Sequence, residues 1–519
     1  MVAGMKLKEK FAIVTALLFF WLTPTAVSCA AIGAKDYKLP TKYVIIKEAF
    51  DAGSPSLGDP RVIFCIQDAH CNYEAQKNTA EVLNYLVQNY GLRLIMVEGG
   101  YGYVGLSSLR GYAPLKNRQE VAEKYLRQGR ISGEEYFDLL SDNDIELYGI
   151  DDETLYDAHL EVFWKIDPVR KEGVKHLDRV ISTLNKLKPF LYSDELRQLE
   201  QKKEAYESKG MQLADYCSYL SSFAAKRSVP LDKYAAMAAF LKTVMTERNM
   251  DLKSAETERN VFIKTLAAGL DNERVKLLIA KTQDFKDGRL AAKDYYSYLK
   301  SLTPRTMDIA KDYPDLARYI DYVCGSNTIN PARLIQDIAA LERDLKDKSF
   351  VNDDQRKLDE ISKNSIILRH LFELELTPEE YAYFKAGQDK FRVASWQGFL
   401  KDMCVKYSLP EPAVSVSAVD GNIGVLEDFY KLGVTRENVF IKNMEKKMNE
   451  SGERTAVLIT GGFHTPGMIR ALKAKGYSYI VLAPVITSKS DSSVYFSVLR
   501  EQKKNMDEDY DEDRSDEQD

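Results

Sequence analysis

Short unbroken apolar runs mark both ends of this chain, and helical periodicity alone fills its middle. In residues 41–156 the runs are Arg61-Val-Ile-Phe-Cys-Ile66, Arg93-Leu-Ile-Met-Val97 and Ile145-Glu-Leu-Tyr-Gly-Ile150. Between the first two, Ala80, Val82, Leu83, Leu86 and Val87 recur at helical spacing. Strand, helix, strand in that order predicts parallel pairing, because parallel neighbours need a crossover. The pattern returns in residues 411–500. There Thr455-Ala-Val-Leu-Ile-Thr460 and Ser478-Tyr-Ile-Val-Leu-Ala483 read as strands around a helix from Pro466 to Lys475, and Ser493 to Leu499 reads as a final edge strand. The two ends are expected to complete one α/β core, a mainly parallel sheet flanked by helices.

Residues 157–410 show no strand pattern and are expected to form a large all-α insertion. Asp167-Pro168, Asn330-Pro331 and Thr377-Pro378-Glu379-Glu380 each place a capping residue before proline at a first helical position, the last with a capping box. Asn260-Val-Phe-Ile-Lys264 recurs as Asn438-Val-Phe-Ile-Lys442, and each copy follows an acid–arginine pair, Glu258-Arg259 or Arg436-Glu437. Both copies read as helix starts.

Composition adds two things. First, the formal charge of −6 is concentrated in a tail over 501–519, where Asp507 to Asp519 holds nine acidic residues against Arg514 alone. The rest of the chain is near neutral, which removes the basic field that nucleic-acid binding needs; the tail is expected to be disordered. Second, Lys6, Lys8 and Lys10 precede an apolar run from Phe11 to Leu22, broken by Pro24 and followed by Ala26, Ser28 and Ala30. Residues 1–30 are therefore expected to be an export signal or an N-terminal membrane anchor, with lipidation at Cys29 as an alternative. The protein is expected outside the cytoplasm, periplasmic or extracytoplasmic, attached to a membrane through its N-terminus if at all. Cys65, Cys71, Cys217, Cys324 and Cys404 are scattered and odd in number, so no disulfide framework is expected, although a Cys65–Cys71 bridge is open.

Ligands of open α/β sheets bind beyond the strand C-termini. The residues there are Gln67-Asp68-Ala69-His70, Glu98-Gly99-Gly100, Asp151-Asp152-Glu153 and Gly461-Gly462-Phe463-His464-Thr465-Pro466-Gly467. Two of the five histidines thus fall at strand ends beside carboxylates. Histidine with Asp or Glu is the donor set of a divalent metal, or of a general base with its orienting carboxylate. His70, His464, Asp68 and Glu98 are the candidate metal ligands. Asp151 is a candidate substrate contact or a helix cap. Gly461 and Gly462 let the backbone approach a ligand closely, and the helix opening at Pro466 presents free N–H groups to developing negative charge. Arg436 is expected to reach this edge and bind an anionic group, with Arg259 as the alternative. His159, His176 and His370 read as structural. Gly100-Tyr-Gly102-Tyr-Val-Gly105 matches GxGxxG but lacks the helix and the later acidic residue of a dinucleotide site.

Asp68-x-His70, Val97-Glu98-Gly99, the Arg-Glu-Asn at Arg436 and Gly461-x-x-His464-x-x-Gly467 together resemble the TraB/TIKI, ChaN-like and erythromycin-esterase-like superfamily. The likeness covers roughly Arg61 to Asp152 and Thr435 to Pro484. It departs at Gln67-Asp68, where the family commonly has Gly-Glu, and in the transposed order Arg436-Glu437. The resemblance implies a metal-dependent hydrolase acting on an amide or ester of a small-molecule or peptide substrate, with His70, Glu98 and Arg436 catalytic. Its alternative is a haem- or iron-complex-binding envelope protein using the same cleft, with His70 or His464 as axial ligand and Tyr101 and Tyr103 stacking on the flat ligand.

Overall fold

The computed structural model describes residue 34 and residues 37–52, 61–248, 250–287, 289–326, 331–487 and 494–502. The expected export signal lies outside these residues, as does the acidic tail beyond 502. No helix among the described residues is long and apolar enough to cross a membrane.

The protein is mixed α/β, built on a mostly parallel seven-stranded sheet. The strands are β1 (Val44–Phe50), β2 (Val62–Asp68), β3 (Leu94–Val97), β4 (Tyr101–Tyr103), β5 (Glu146–Ile150), β6 (Thr455–Gly461) and β7 (Ser478–Pro484), in the order β1-β7-β2-β6-β3-β5-β4. Only the two outer pairs, β1/β7 and β4/β5, are antiparallel. β6 enters between β2 and β3 and pairs with both in parallel. The two ends of the chain therefore share one sheet, and all the described residues between β5 and β6 that are in regular structure are helical.

The central strands are unbroken apolar runs because both faces are covered. Alternate residues divide between two cores. Phe64, Ile66, Ile95, Val97, Val457 and Ile459 face one side, where they meet Val82, Leu83 and Leu86 of α1 (Tyr73–Tyr90), Ala122 and Leu126 of α2 (Leu115–Arg127), and Phe137 of α3 (Gly133–Leu140). Ile63, Cys65, Met96, Ala456 and Leu458 face the other, where Phe440, Met444 and Met448 of α6 (Ile423–Ser451) and Met468 and Leu472 of α7 (Thr465–Ala474) close over them.

Two compact units divide the chain. One holds residues up to 174, 370–388 and 417 onward; the other holds 175–369 and 389–416 and is helical. The expected insertion, 157–410, is thus split by a returning segment. That segment carries α5 (Pro378–Ala386), whose predicted capping box between Thr377 and Glu380 forms. It belongs to the sheet unit because the Leu376 amide donates to the Tyr430 hydroxyl at 2.9 Å, Tyr381 stacks on Tyr430, and Phe372 fills the space left by Gly173.

Other expectations fail for local reasons. Asp167-Pro168 starts no helix; it lies inside α4 (Glu153–Leu191), a helix of 39 residues. The repeated pentapeptide sits mid-helix in both copies, and its Phe262 and Phe440 are core side chains. The expected last strand is a helix, α8 (494–502). Its apolar residues alternate like a strand but also fall at i, i+3 and i+4, and Phe496 and Leu499 bury on that spacing. The expected tail loses residues 501 and 502 to this helix. Cys65 and Cys71 are both free thiols. The GxGxxG stretch forms β4, which pairs edge-on with β5 and opens no helix.

β4 lies so close to β5 that a Cβ on Gly149 would stand 2.0 Å from the Gly100 carbonyl carbon and 2.3 Å from the Tyr101 nitrogen. Backbone cannot yield as a side chain can. Gly149→Ala is expected to destabilise the sheet unit by about 1–3 kcal/mol, read as a lowered midpoint of thermal unfolding; an unchanged midpoint would contradict this packing.

Candidate functional site

Parallel register brings three strand ends to one level. Asp68 is paired with Gly461, and Val97 with Ile459. The segments that follow, Asp68–His70, Glu98–Gly99 and Gly461–His464, therefore meet at the carboxyl edge of the sheet. Gly99 takes φ 83°, which turns the chain sharply after Glu98. The Gly461 amide donates to Glu98 Oε2 at 2.8 Å. A Cβ at Gly461 would stand 3.4 Å from His70 Nε2 and 3.5 Å from Glu98 Oε2, so both groups converge on the face of this glycine.

Arg436, buried on α6, organises the floor. Its Nε donates to Asp151 Oδ1 at 3.1 Å, and one Nη bonds Asp151 Oδ2 as well as Glu98 Oε1 at 3.2 Å. The other Nη donates to His159 Nδ1 at 2.8 Å. Arginine can only donate, so His159 Nδ1 is an acceptor and the ring is neutral. Burial and the adjacent Arg436 charge push the His159 pKa down to about 3, which agrees. Asp151, with a side chain wholly out of solvent, also accepts from the Gly99 amide at 3.1 Å and the Asp152 amide at 3.0 Å.

His464 stands between two carboxylates. Its Nε2 is 3.4 Å from Glu98 Oε1 and its Nδ1 is 3.4 Å from Glu437 Oε1. A ring that donates from both nitrogens is an imidazolium. Burial works against that charge, but Glu98 and Glu437 outweigh it and raise the pKa to about 9. Burial likewise opposes an ionised Glu98, yet His464 and Arg436 hold it well below the usual carboxylate range.

His70 differs from the rest. Its side chain is 41% exposed against 6% for His464. Nδ1 lies 2.5 Å from Asp68 Oδ2. The other Asp68 oxygen accepts from Gln76 Nε2 at 2.6 Å, and Gln76 Oε1 accepts from the Gly133 amide at 2.6 Å. The carboxylate that aims His70 is therefore fixed by α1 and by the start of α3. Desolvation in the pocket opposes protonation, but Asp68 outweighs it and raises the His70 pKa to about 9. Glu134 is buried nearby, and burial followed by Asp68 pushes its carboxyl up to about 8.

Above this floor opens a cavity of about 460 Å³, lined by His70, Glu98, Gly462, His464 and Arg436 among others. Four expected site residues, His70, Glu98, Arg436 and His464, do come together, with Asp68 behind His70. Gly461 and Gly462 line the cavity, and the Gly461 amide serves Glu98. Asp151 holds Arg436 and is not part of the lining of this cavity; the helix cap is Asp152, which accepts from the Leu155 amide at 3.0 Å. Arg436 itself has its guanidinium committed to protein partners. Arg259 lies in the helical unit, bonded to Glu256 at 2.9 Å and to Tyr296. Tyr101 and Tyr103 do not line the cavity; their hydroxyls bond Glu153 and Ser107. His159, read from sequence as structural, and Glu437, given no role there, belong to the site. The available signals were position: His159 lies two turns into the helix after β5, and Glu437 adjoins Arg436.

The donors as arranged do not fit a divalent cation. The His70 Nδ1 and both His464 nitrogens are committed to carboxylates, and a buried guanidinium stands 3.2 Å from Glu98. Among the described residues no group of three or more His, Cys, Asp or Glu is placed to hold a metal ion. No family model, no curated protein and no solved structure matches the chain.

Removing one partner from this network strands a buried charge. Arg436→Met and Asp151→Asn are each expected to cost roughly 3–5 kcal/mol in urea unfolding at neutral pH, and the double variant is expected to cost less than their sum. Additive or negligible losses would contradict the network.

Proposed function

We propose that the protein is an exported hydrolase that cleaves an ester or amide carbonyl by water attack, with His70 as general base. The observation that carries this reading is the Asp68–His70 pair, whose Nδ1 is tied to a fixed carboxylate while Nε2 faces the Gly461 surface at the cavity floor. This is base-plus-orienter geometry; the thiol that shares the cavity, Cys71, is turned to the Gly129 carbonyl and pushed up to about 11 by burial and by Asp68, so water is the nucleophile of this reading. The resemblance to the TraB/TIKI, ChaN-like and erythromycin-esterase-like superfamily supports the hydrolase class, and the proposal departs from it in using no metal.

In the proposed reaction His70 Nε2 takes a proton from water as the oxygen bonds to the substrate carbonyl carbon. The carbonyl oxygen becomes an oxyanion stabilised by the positive N-terminal end of α7 beside it. On collapse the bond to the leaving oxygen or nitrogen breaks, and that atom takes the proton from His70. Asp68 keeps the ring oriented and stabilises its charged form. Glu98, His464 and Arg436 hold the Gly461 turn in place by the contacts described above. No step passes through a metal, because the donor set does not fit one.

The pH dependence follows from the sign of the His70 shift. A base raised to about 9 is protonated at neutral pH and becomes competent as pH rises through that value. kcat/KM on an activated ester is expected to climb toward an alkaline limb near 9. Asp68→Asn removes the charge that raises the pKa, so the limb is expected to move toward the ordinary histidine range, near 6.5. His70→Ala is expected to lower kcat/KM by roughly 10²–10⁴ with thermal unfolding unchanged. Full activity in that variant, or a limb indifferent to Asp68→Asn, would remove His70 as the base. Zinc, iron and manganese are expected at background in the purified chain; a stoichiometric metal lost with His464→Ala would restore a metal centre.

A further inference from the structure

The cavity has a polar floor, further polar lining at Gln76, Arg130, Ser132 and Glu135, and one mainly apolar side. That side is a separate apolar cluster, distinct from the two sheet cores, built from Leu160 and Phe163 of α4 with Phe496 and Leu499 of α8, and extended by Leu374 and Phe429. Helix α8 turns Tyr495, Val498, Leu499 and Gln502 toward the cavity. Their spacing, i, i+3, i+4 and i+7, is one helical face. At its start Tyr495 stacks on His70, with ring centres 5.6 Å apart and planes 13° from parallel. From Tyr495 to Gln502 that face rises about 10 Å. A path therefore leads from the general base along an apolar strip. Among the described residues lining the cavity, Glu98 is paired with His464 and Arg436, His70 with Asp68, and Arg130 with Glu501 at 2.5 Å, while Glu135 is turned back onto Ser132 in its helix cap. The α8 strip itself, Tyr495, Val498, Leu499 and Gln502, carries no acidic or basic side chain.

We infer that the substrate is an ester or amide of an unbranched or aryl apolar acid, with its carbonyl at His70 and its acyl chain laid along the inner face of α8. This rests on the hydrolase reading and adds the substrate class to it. Helix α8 is held as a fixed wall for that chain. Arg500 donates to both oxygens of Asp167 at 2.6 and 2.8 Å, Trp164 Nε1 donates to the Leu499 carbonyl at 3.0 Å, and Arg170 lies over the Phe496 ring. The acyl group would complete the apolar cluster at the cavity side.

The test has one arm on turnover and one on binding. p-Nitrophenyl acetate, butyrate, hexanoate and octanoate are compared as substrates. kcat/KM is expected to rise about three- to fourfold per methylene, at least a hundredfold from acetate to octanoate. Octanamide and acetamide are then titrated by calorimetry into the wild-type chain and into His70→Ala. Octanamide is expected to bind both saturably and acetamide neither. Val498→Asn, at a half-buried position, is expected to weaken octanamide at least tenfold and to flatten the chain-length series. Octanamide binding no tighter than acetamide, or a series that stays flat, overturns the inference. Saturable octanamide binding in a chain that hydrolyses none of the esters removes the hydrolase reading and leaves the apolar acyl site standing.

Discussion

The arrangement of this site depends on one buried guanidinium. Arg436 is almost wholly out of solvent and answers two carboxylates from different strands, Asp151 after β5 and Glu98 after β3. Each of the three would be costly alone in that position. Together they fix the ends of two strands against α6, and through Glu98 they reach the Gly461 amide and His464. The Gly461 turn, the imidazolium beside it and the neutral His159 are consequences of where that positive charge sits. The site is thus divided between groups that hold shape and one group, His70, left open to the cavity.

That division explains why like residues behave differently. His70 and His464 are both strand-end histidines beside carboxylates, and both are raised toward 9. His464 has a carboxylate on each nitrogen and is spent as a structural cation. His70 has one, so its second nitrogen remains for chemistry. His159, bonded to Arg436, is driven the opposite way by burial and by that positive charge. The three histidines take three different roles through burial and the charges that each one faces.

How much of this the sequence showed follows the same logic. The buried strands at 62–68, 94–97, 146–150, 455–461 and 478–484 were legible because both faces are covered and the runs are continuous. β1 was not, since only Val44 in it is fully buried, and β4 is three residues long. The strand ends then gave His70, Glu98 and His464 directly, and the Arg-Glu-Asn gave Arg436. Their roles were hidden, because a pairing such as Arg436 with Asp151 spans 285 positions and no local spacing encodes it. Asp151 read as a substrate contact or a helix cap and is instead the anchor of Arg436. Arg259 shared its neighbourhood with Arg436 through a phenylalanine that both helices bury. Tyr495 was lost with the misread of 493–499, where a strand and a helix would expose the same apolar residues in different directions.

The central place of β6 has a consequence for assembly. β2 and β3 are not hydrogen-bonded neighbours; the strand that joins them arrives near the end of the chain, hundreds of residues later. Until it docks, two strand edges stand unpaired and the base has no Gly461 surface to face. Contacts of such long sequence separation form slowly. A chain in which β6 has not docked therefore carries Asp68 and His70 without the Gly461 turn that His70 faces, and the cluster forms in one step with that strand. Docking of β6 thus couples completion of the sheet to assembly of the His70, Glu98 and Gly461 cluster.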